Sequence, residues 1–298
     1  MSHGATGSCQ GLLGDTPRRD YSRKLQLFNA FAEPELRRAI ASLALTPGMH
    51  VLDAGCGTGA MLPWLHEAVQ PGGTAIGIDL AFAHTRAARA TNPPTIPIVL
   101  ADLTAPPLKK ASLDLVWSVN TLHHLKEPSE GLRALSALVR PGGRIVIGQS
   151  SFLPDMLFGW DSRLERLTHE AVGMYYRERY ALTEQELSGI RSLVGTLRSA
   201  ALSNVSARTF VIERISPLAA ADEEYLAEAI FRDTWGERLR PYLSADDYER
   251  LRRVCDPQQP EFALHRPDFH FIQTFTLAVG QVPGASTSSS MKVARSRA

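Results

Sequence analysis

The chain has 298 residues, of which 44% are hydrophobic and 21% are charged, a balance typical of globular proteins. The formal net charge of +1 gives no basic footprint for nucleic acid or for an anionic membrane surface. Three cysteines without paired spacing disfavour disulfides and a zinc site, so we expect a cytoplasmic protein that holds no metal. No apolar run is long enough to span a membrane, and the first residues lack the plan of a signal peptide.

Both ends of the chain have compositions typical of flexible segments. Residues 1–20 are rich in glycine, serine and threonine, and residues 281–298 offer few side chains for burial. We therefore expect a flexible N-terminus and a disordered tail. Between them, residues 21–45 carry apolar side chains at helical spacing, and Pro34 divides this region into two helices.

Residues 46–150 alternate between two periodicities. Short apolar runs, typical of buried strands, are separated by stretches with helical spacing at residues 60–69, 83–90 and 129–139. The runs are HVLDAG, AIGIDL, IPIVLAD, LDLVWSVN and RIVIGQS. A repeated strand–helix–strand pattern predicts an α/β fold whose parallel sheet is covered on both faces.

The second half of the chain is mostly helical. Residues 152–180 and 217–254 have helical spacing, whereas residues 204–214 and 269–280 have the pattern of late strands. Most of the aromatic residues follow residue 150, which indicates a helical substrate cap over the ligand edge of the sheet. The alternative, that these rings form a helical core, stays open. They include Phe152, Phe158, Trp160, Tyr175, Tyr176 and Trp235.

The stretch VLDAGCGTGAML, residues 51–62, places Gly55, Gly57 and Gly59 between the first strand and the following helix. Glycine there permits a positive φ and a close approach of backbone to ligand, and open α/β sheets bind ligands at this edge. The spacing from Gly55 to Ala60 also meets a relaxed dinucleotide fingerprint. The loop by itself therefore leaves a nicotinamide oxidoreductase open.

Three acids follow three successive strands of the predicted sheet: Asp53, Asp79 and Asp102. Carboxylates that meet at one edge of a sheet suit a ligand that is cationic, carries a ribose and ends in an amino-bearing base. S-adenosylmethionine has this chemistry, since it combines a sulfonium, an ammonium, a ribose and an adenine amine. The competing interpretation of each acid is a helix cap or a turn residue.

On these motifs the chain resembles the class I, Rossmann-like S-adenosylmethionine-dependent methyltransferases of the small-molecule type. The resemblance covers about residues 45–150 and rests on VLDAGCGTG, AIGIDLA, VLADLTAPPLKKASLDLVWSVNTLHHL and LVRPGGRIVIGQS, in that order. It implies a doubly wound, mostly parallel seven-stranded sheet, with residues 46–150 as the cofactor-binding core and residues 151–280 as the remainder of the fold. It also implies a helical lid over residues 21–45, helical insertions in the C-terminal half, and S-adenosyl-L-methionine as the cofactor.

The resemblance also implies roles for individual residues. Asp53 and the glycine loop are expected at the methionine portion of the cofactor, Asp79 at the ribose, and Asn120 near the sulfonium. The residues around Asp102 are expected to face adenine, and Tyr21 begins the lid, which has a plain packed helix as its alternative. The implied cofactor-binding residues are Tyr21, Asp53, Ala54, Gly55, Cys56, Gly57, Gly59, Asp79, Leu80, Asp102, Leu103 and Asn120.

Methyl transfer from a sulfonium is an in-line displacement, for which the enzyme mainly aligns acceptor, methyl group and sulfur. An oxygen or carbon acceptor also needs a base, and a histidine can serve near neutral pH. The motif NTLHHL places His123 and His124 just after the fourth strand, so we predict them as the catalytic residues, with a helix cap as the alternative. His265 and His270 would lie on opposite faces of one strand, which argues against a shared metal site.

These observations favour a methyltransferase whose acceptor is a small, apolar or aromatic metabolite of the natural-product type, with neither nucleic acid nor membrane as partner. One alternative keeps the cofactor without methyl transfer, in a protein of the same fold that catalyses a pericyclic rearrangement. Another is a methyltransferase for protein or RNA. A homodimer contact through residues 22–45 or 217–254 stays open.

Overall fold

The structure of this chain, a computed structural model, describes residues 20–125, 127–150, 156–180 and 189–284. The segments 1–20 and 281–298, for which the composition predicts flexibility, fall almost wholly outside these ranges, as does Phe152. No helix in the described ranges is both long and apolar enough to cross a membrane.

Seven strands form one sheet. They are β1 (His50–Ala54), β2 (Thr74–Asp79), β3 (Ile98–Leu100), β4 (Leu113–Val119), β5 (Val139–Ser150), β6 (Ser203–Ile215) and β7 (His270–Gln281). Their order is β3-β2-β1-β4-β5-β7-β6. Neighbouring strands within the set β1 to β5 are parallel, and β7 is antiparallel to both β5 and β6. The predicted Rossmann-like, mostly parallel sheet is confirmed. Since the strand order reverses between β1 and β4, a ligand crevice is expected there.

Helices flank the sheet. In the described ranges they are α1 (Ser22–Phe31), α2 (Glu33–Ala41), α3 (Leu62–Ala68), α4 (Phe82–Thr91), α5 (Pro128–Leu138), α6 (Ser162–Tyr180), α7 (Gly189–Ser199), α8 (Ala220–Glu224), a π-helix (Tyr225–Trp235) and α9 (Ala245–Cys255). The two predicted N-terminal helices are confirmed, and Pro34 lies in the first turn of α2, where the missing N–H breaks no helical bond. The sequence pattern did not predict α7, since glycine at its start and at Gly195 weakens the helical signal.

The two faces of the sheet bury different side chains, because successive residues of a strand point to opposite faces. Val51 packs with residues of α1, α2 and α3, whereas Leu52 and Ala54 pack with residues of α5 and α7. By the same alternation, Asp53 points to the face that the N-terminal helices cover. That face contains the site described below.

Arg214 of β6 fixes the N-terminal helices to the body of the protein. Its guanidinium donates to the carbonyl of Phe31 and to the carboxylates of Glu35, at 3.0 Å, and Asp222, at 2.8 Å. It also lies 4.8 Å from the centroid of the Phe31 ring. The Glu35 carboxylate is buried, so loss of this arginine would leave that buried charge with the exposed Arg38 as its remaining partner.

The histidine pair His265 and His270 does not lie on one strand, and that prediction was wrong. His265 ends a short 3-10 turn, and His270 begins β7. Their Nε2 atoms lie 3.0 Å from Oε1 of Glu223 and 2.8 Å from Oε1 of Glu213, respectively. Across the described ranges, no group of side chains is arranged to hold a metal ion.

Candidate functional site

A cavity opens at the carboxyl ends of β1, β2 and β4, beneath α1. Most of the predicted site residues line it: Tyr21, Asp53, Gly55, Cys56, Gly57, Asp79, Leu80, Asn120 and His124. The structure adds lining residues that sequence reasoning missed, among them Leu25, Phe28, His84, Trp117 and Thr121. The cavity lies where the strand order reverses, as expected for an open α/β sheet.

The glycine loop gives the cavity a backbone wall. Gly55 has a φ of +82° and Gly57 a φ of +53°, a region that L side chains rarely adopt. The amides of Gly55 and Cys56 donate to the carbonyl of Ile78 at 2.8 and 2.9 Å, which ties the loop to the end of β2. A Cβ at Gly55 would lie 2.3 Å from the side chain of Thr121. The loop therefore needs glycine both for its backbone angles and for its close approach to β4.

Asp53 is a buried carboxyl group, 2% exposed. Its Oδ2 atom has no hydrogen-bond partner among the described residues. Burial raises the pKa of this carboxyl to about 8, and the nearby Asp79 carboxylate adds to the rise. An unpartnered buried acid costs free energy, which a cationic ligand group in the cavity would recover. The ammonium of S-adenosylmethionine fits this position.

Asp79 joins the glycine loop to the start of α4. Its Oδ2 accepts from the amide of Gly57, and its Oδ1 from the amide of Ala81, both at 2.9 Å. Nδ1 of His84 lies 3.2 Å from the same Oδ1. A carboxylate has about four acceptor positions, so these contacts leave room for a ribose hydroxyl. The adenosine part of the cofactor therefore also fits the residues present.

His84 was not predicted as a site residue. It is buried, and its Nε2 accepts from the backbone N–H of Tyr21 at 3.1 Å. Because a backbone N–H can only donate, Nε2 carries no proton, and Nδ1 donates its proton to Asp79. Sequence patterns gave no signal for this role, since the partner lies 63 positions earlier in the chain.

The end of β4 supplies the opposite wall. Asn120 has a φ of +52°, and its side chain is engaged by Ser150 of β5. The Asn120 Oδ1 accepts from the Ser150 amide at 2.8 Å, and its Nδ2 donates to the Ser150 hydroxyl at 3.1 Å. The side chain thus fixes the turn, while the residue itself lines the cavity.

The two catalytic candidates, His123 and His124, differ in position. Only His124 is among the residues that line the cavity, and the centroids of the two rings are 4.0 Å apart. Desolvation by surrounding protein lowers the pKa of His123 well below its usual value, and His124 lowers it further, whereas a hydrogen bond with Gln149 opposes the shift. His123 is therefore a neutral imidazole near pH 7.

The structure does not bring four of the predicted cofactor-binding residues to the cavity wall. Ala54 and Leu103 are buried in the core on the other face of the sheet. At Gly59 an added Cβ would meet Asn92 and Ala88 of the adjacent helix region. The Oδ1 of Asp102 accepts from the amide and hydroxyl of Thr104, both at 2.8 Å, so this acid stabilises its own turn. Contact of Asp102 and Leu103 with adenine stays a prediction.

The aromatic rings of the second half are mostly core. Phe158, Trp160 and Trp235 are buried and pack around Phe231, with centroid distances of 4.8 Å from Phe158 to Trp160 and to Trp235. None of the described rings expected at the acceptor lines the cavity at β1 and β4. Phe158, Trp160 and Trp235 therefore belong to a buried core, and a helical substrate cap stays a prediction.

Residues 52–147 match the family model described as a methyltransferase domain. The chain is 26% identical to the nocamycin O-methyltransferase of Saccharothrix syringae, over 83% of this chain and 90% of that protein. It is 31% identical to the malonyl-(acyl-carrier protein) O-methyltransferase of Pseudescherichia vulneris, over 48% of this chain and 59% of the relative. A 37.1 kDa protein in transposon TN4556 of Streptomyces fradiae is 37% identical, over 41% of this chain and 33% of the relative. The chain thus spans less than two thirds of the length of two of these relatives.

Two solved structures share the fold. A chain from the complex with the Trm112 methyltransferase activator of Haloferax volcanii has a TM-score of 0.54 at 17% identity and covers 89% of this chain and 99% of that chain. A structure ascribed to a methyltransferase from an antibiotic biosynthesis pathway of Anabaena variabilis has a TM-score of 0.54 at 16% identity, with 82% and 96% covered. Likeness at these identities concerns the fold alone.

The domain that matches the family model contains the β1 loop, the Asp79 strand end and the β4 end that build the cavity. Sequence match, sheet order and site chemistry therefore agree. Residues 52–147 form a domain that matches the methyltransferase domain family, on a Rossmann-like sheet whose cavity residues fit S-adenosyl-L-methionine as cofactor.

Proposed function

We propose that this protein transfers the methyl group of S-adenosylmethionine to a hydroxyl group of a small, largely apolar natural product. The observation that carries the proposal is the buried, unpartnered carboxyl of Asp53 beside the positive-φ glycine loop, in the same cavity as Asp79. A site of this kind is complementary to a ligand with an ammonium and a ribose, and the bound cofactor supplies an electrophilic methyl group on sulfur.

The chain's own residues have separate tasks in this proposal. Asp53 accepts from the ammonium, Asp79 accepts from a ribose hydroxyl, and the Gly55–Gly57 backbone lies along the methionine portion. Leu25 and Phe28 of α1 are lining residues that exclude water from above. Their contribution to rate is alignment of acceptor and methyl group rather than covalent catalysis.

The class of acceptor is supported by the lining and by the relatives. The cavity wall near β4 combines apolar Val119 with the ring of His124, which is suited to accept a proton from a hydroxyl acceptor. The nocamycin O-methyltransferase relative, of which the chain covers 90%, bears the name of a natural product methylated at oxygen. A second relative, 29% identical over 51% of its length, is the 27-O-demethylrifamycin SV methyltransferase of Amycolatopsis mediterranei.

The test uses the purified full chain and S-adenosylmethionine that carries an isotope-labelled methyl group. Metabolite extract freed of macromolecules is the source of acceptors, and both S-adenosylhomocysteine and labelled products are measured. We expect S-adenosylhomocysteine to form together with a product heavier by the label and sensitive to Asp53→Asn. Product formation without S-adenosylhomocysteine would instead support a non-methylating reaction, and labelling only of added protein or RNA would contradict a small-molecule acceptor.

A further inference from the structure

Three tryptophans have a buried indole Nε1 with no hydrogen-bond partner among the described residues: Trp117, Trp160 and Trp235. Such donors are uncommon in folded proteins and call for a partner that the protein alone does not supply. Only Trp117 of these three lines the cofactor cavity, and the residue is fully buried. From the sequence alone, its position in the middle of an apolar strand indicates a core residue.

Trp117 stands next to the acid of the site. The two residues, Asp53 on β1 and Trp117 on β4, are paired in the register of these parallel strands. Paired residues of neighbouring strands project from the same face about 4.8 Å apart. Asp53 and Trp117 are therefore neighbours on one face of the sheet, and both residues line the cavity. The acceptor Oδ2 of Asp53 and the donor Nε1 of Trp117 both lack a partner among the described residues.

An α-amino acid presents complementary groups on one carbon, namely an ammonium that donates and a carboxylate that accepts. The described residues that line the cavity include no lysine and no arginine. A carboxylate that enters this cavity must therefore be held by neutral donors, and an indole N–H is a donor only.

We propose that Trp117 binds the carboxylate of the cofactor's methionine portion through its indole N–H, while Asp53 accepts from the ammonium, so that the two form an α-amino-acid clamp across β1 and β4. The inference rests on the proposed function and assigns a binding residue within that site. It makes the cavity selective for ligands with an intact amino-acid end over adenosine thioethers without one.

The test is Trp117→Phe, which keeps an aromatic ring and removes only the N–H and the second ring. Its matched control is Trp160→Phe, which removes another buried N–H that has no partner among the described residues, away from the cavity. Calorimetric titrations use three ligands: S-adenosylmethionine, its decarboxylated analogue, and 5′-methylthioadenosine. Thermal unfolding without ligand shows whether each variant is folded.

We expect Trp117→Phe to weaken binding of S-adenosylmethionine by about tenfold or more, as for loss of a hydrogen bond to a charged group. Affinity for the decarboxylated analogue and for 5′-methylthioadenosine should change by less than about twofold, and Trp160→Phe should bind all three as the wild type does.

Equal weakening for all three ligands would show that Trp117 acts only through packing and would overturn the clamp, as would wild-type affinity of Trp117→Phe for S-adenosylmethionine. Failure of the wild type to bind S-adenosylmethionine is a different result, because it contradicts the proposed function itself. The proposal is also wrong if Asn29→Ala, rather than Trp117→Phe, loses affinity only for the ligand with a carboxylate. In that case Asn29 of α1 binds the cofactor's carboxylate.

Discussion

The ring of His84 donates its Nδ1 proton to Asp79, across 3.2 Å, while its other nitrogen accepts from the backbone of Tyr21 at 3.1 Å. One buried imidazole thus connects the carboxylate expected at the ribose with the residue that precedes α1. The space in the cavity measures about 120 Å³, whereas pockets for drug-sized ligands measure about 300–1,000 Å³. We therefore expect α1 to move when a nucleoside enters and His84 to hold it closed afterwards.

Substitution of His84 by Phe should weaken this closure. We expect affinity for S-adenosylmethionine to fall by about tenfold or more, because a hydrogen bond to the Asp79 carboxylate, worth roughly 1.5–3 kcal/mol, is lost together with the neutral bond from Tyr21. With the cofactor present, the amides of α1 should exchange hydrogen faster in the variant than in the wild type. The amides of α5 serve as an internal control. If exchange of α1 is unchanged and only affinity falls, His84 acts on Asp79 alone and the closure is not its role.

Gly55 and Gly48 allow the steric demand of the cofactor loop to be separated from backbone strain. Their φ angles are nearly equal, +82° and +84°, but a Cβ at Gly48 meets nothing within 4 Å, whereas at Gly55 it lies 2.3 Å from Thr121. Gly48→Ala should cost only the strain of a left-handed alanine, about 1–2 kcal/mol. Gly55→Ala should cost more, and it should also abolish detectable cofactor binding, because the loop and β4 must move apart.

Urea unfolding and calorimetry of both variants provide the measurement. Equal losses of stability for the two variants would mean that the Thr121 side chain moves aside at no cost in free energy. The positive φ would then be the reason for glycine at position 55. Retention of cofactor affinity by Gly55→Ala would show that the close contact between the loop and β4 is not needed for binding.

Asp53 should make stability fall as the pH rises. Its pKa of about 8 in the folded protein exceeds the ordinary 3.8, so between about pH 4 and pH 8 the folded state keeps a proton that the unfolded state has released. Folding then takes up a proton, and the free energy of unfolding decreases with pH across this window. Asp53→Asn removes the slope and should have the higher melting temperature at pH 7, by roughly 2–4 °C for each kcal/mol gained.

The cofactor should reverse this protonation. An ammonium beside Asp53 favours the charged carboxylate, so binding near pH 7 should release a proton from the wild type and none from Asp53→Asn. Calorimetry in two buffers of different ionisation enthalpy measures the release. A melting temperature of Asp53→Asn that falls in parallel with the wild type from pH 5 to pH 8 would contradict the assignment of the pH dependence to Asp53.

Some residues of this site could be predicted from the local sequence, whereas others depend on partners from distant parts of the chain. Asp53, Asp79 and the glycine loop follow from local pattern, because a strand end, a turn and a helix start fix them within a few residues. His84 and Trp117 were missed, because each has the local pattern of an ordinary core position and gains its role from a partner on another element. The carboxylate of Asp102 is engaged in its own turn, and its contact with adenine stays a prediction.

The larger architecture shows the same division. Periodicity predicted the strands and the N-terminal helices, including the break before Pro34. It could not predict that the aromatic residues after residue 150 would pack on one another, since ring-to-ring contacts depend on how distant helices meet. Phe158 and Phe231, for example, lie in separate segments and have centroids 5.9 Å apart.

The two adjacent histidines should respond differently to substitution by glutamine. Of the two, only His124 lines the cavity, so the proton of the substrate hydroxyl should be transferred to His124. His124→Gln should therefore lower kcat by about 10²-fold or more, with little change in the KM for S-adenosylmethionine. Burial and the neighbouring His124 lower the pKa of His123 well below its usual value, so that ring is neutral near pH 7. His123→Gln should therefore leave the shape of the pH profile of kcat/KM unchanged.

The profiles of kcat/KM against pH from 5.5 to 9 for wild type and both variants distinguish the assignments. A profile of His124→Gln that is merely scaled down, with both limbs intact, would show that His124 aligns the acceptor without taking its proton. A changed acid limb in His123→Gln alone would transfer the role of base to His123. The ring centroids of the two histidines are 4.0 Å apart, which makes the double variant informative, since residues in contact depart from additivity when both are replaced.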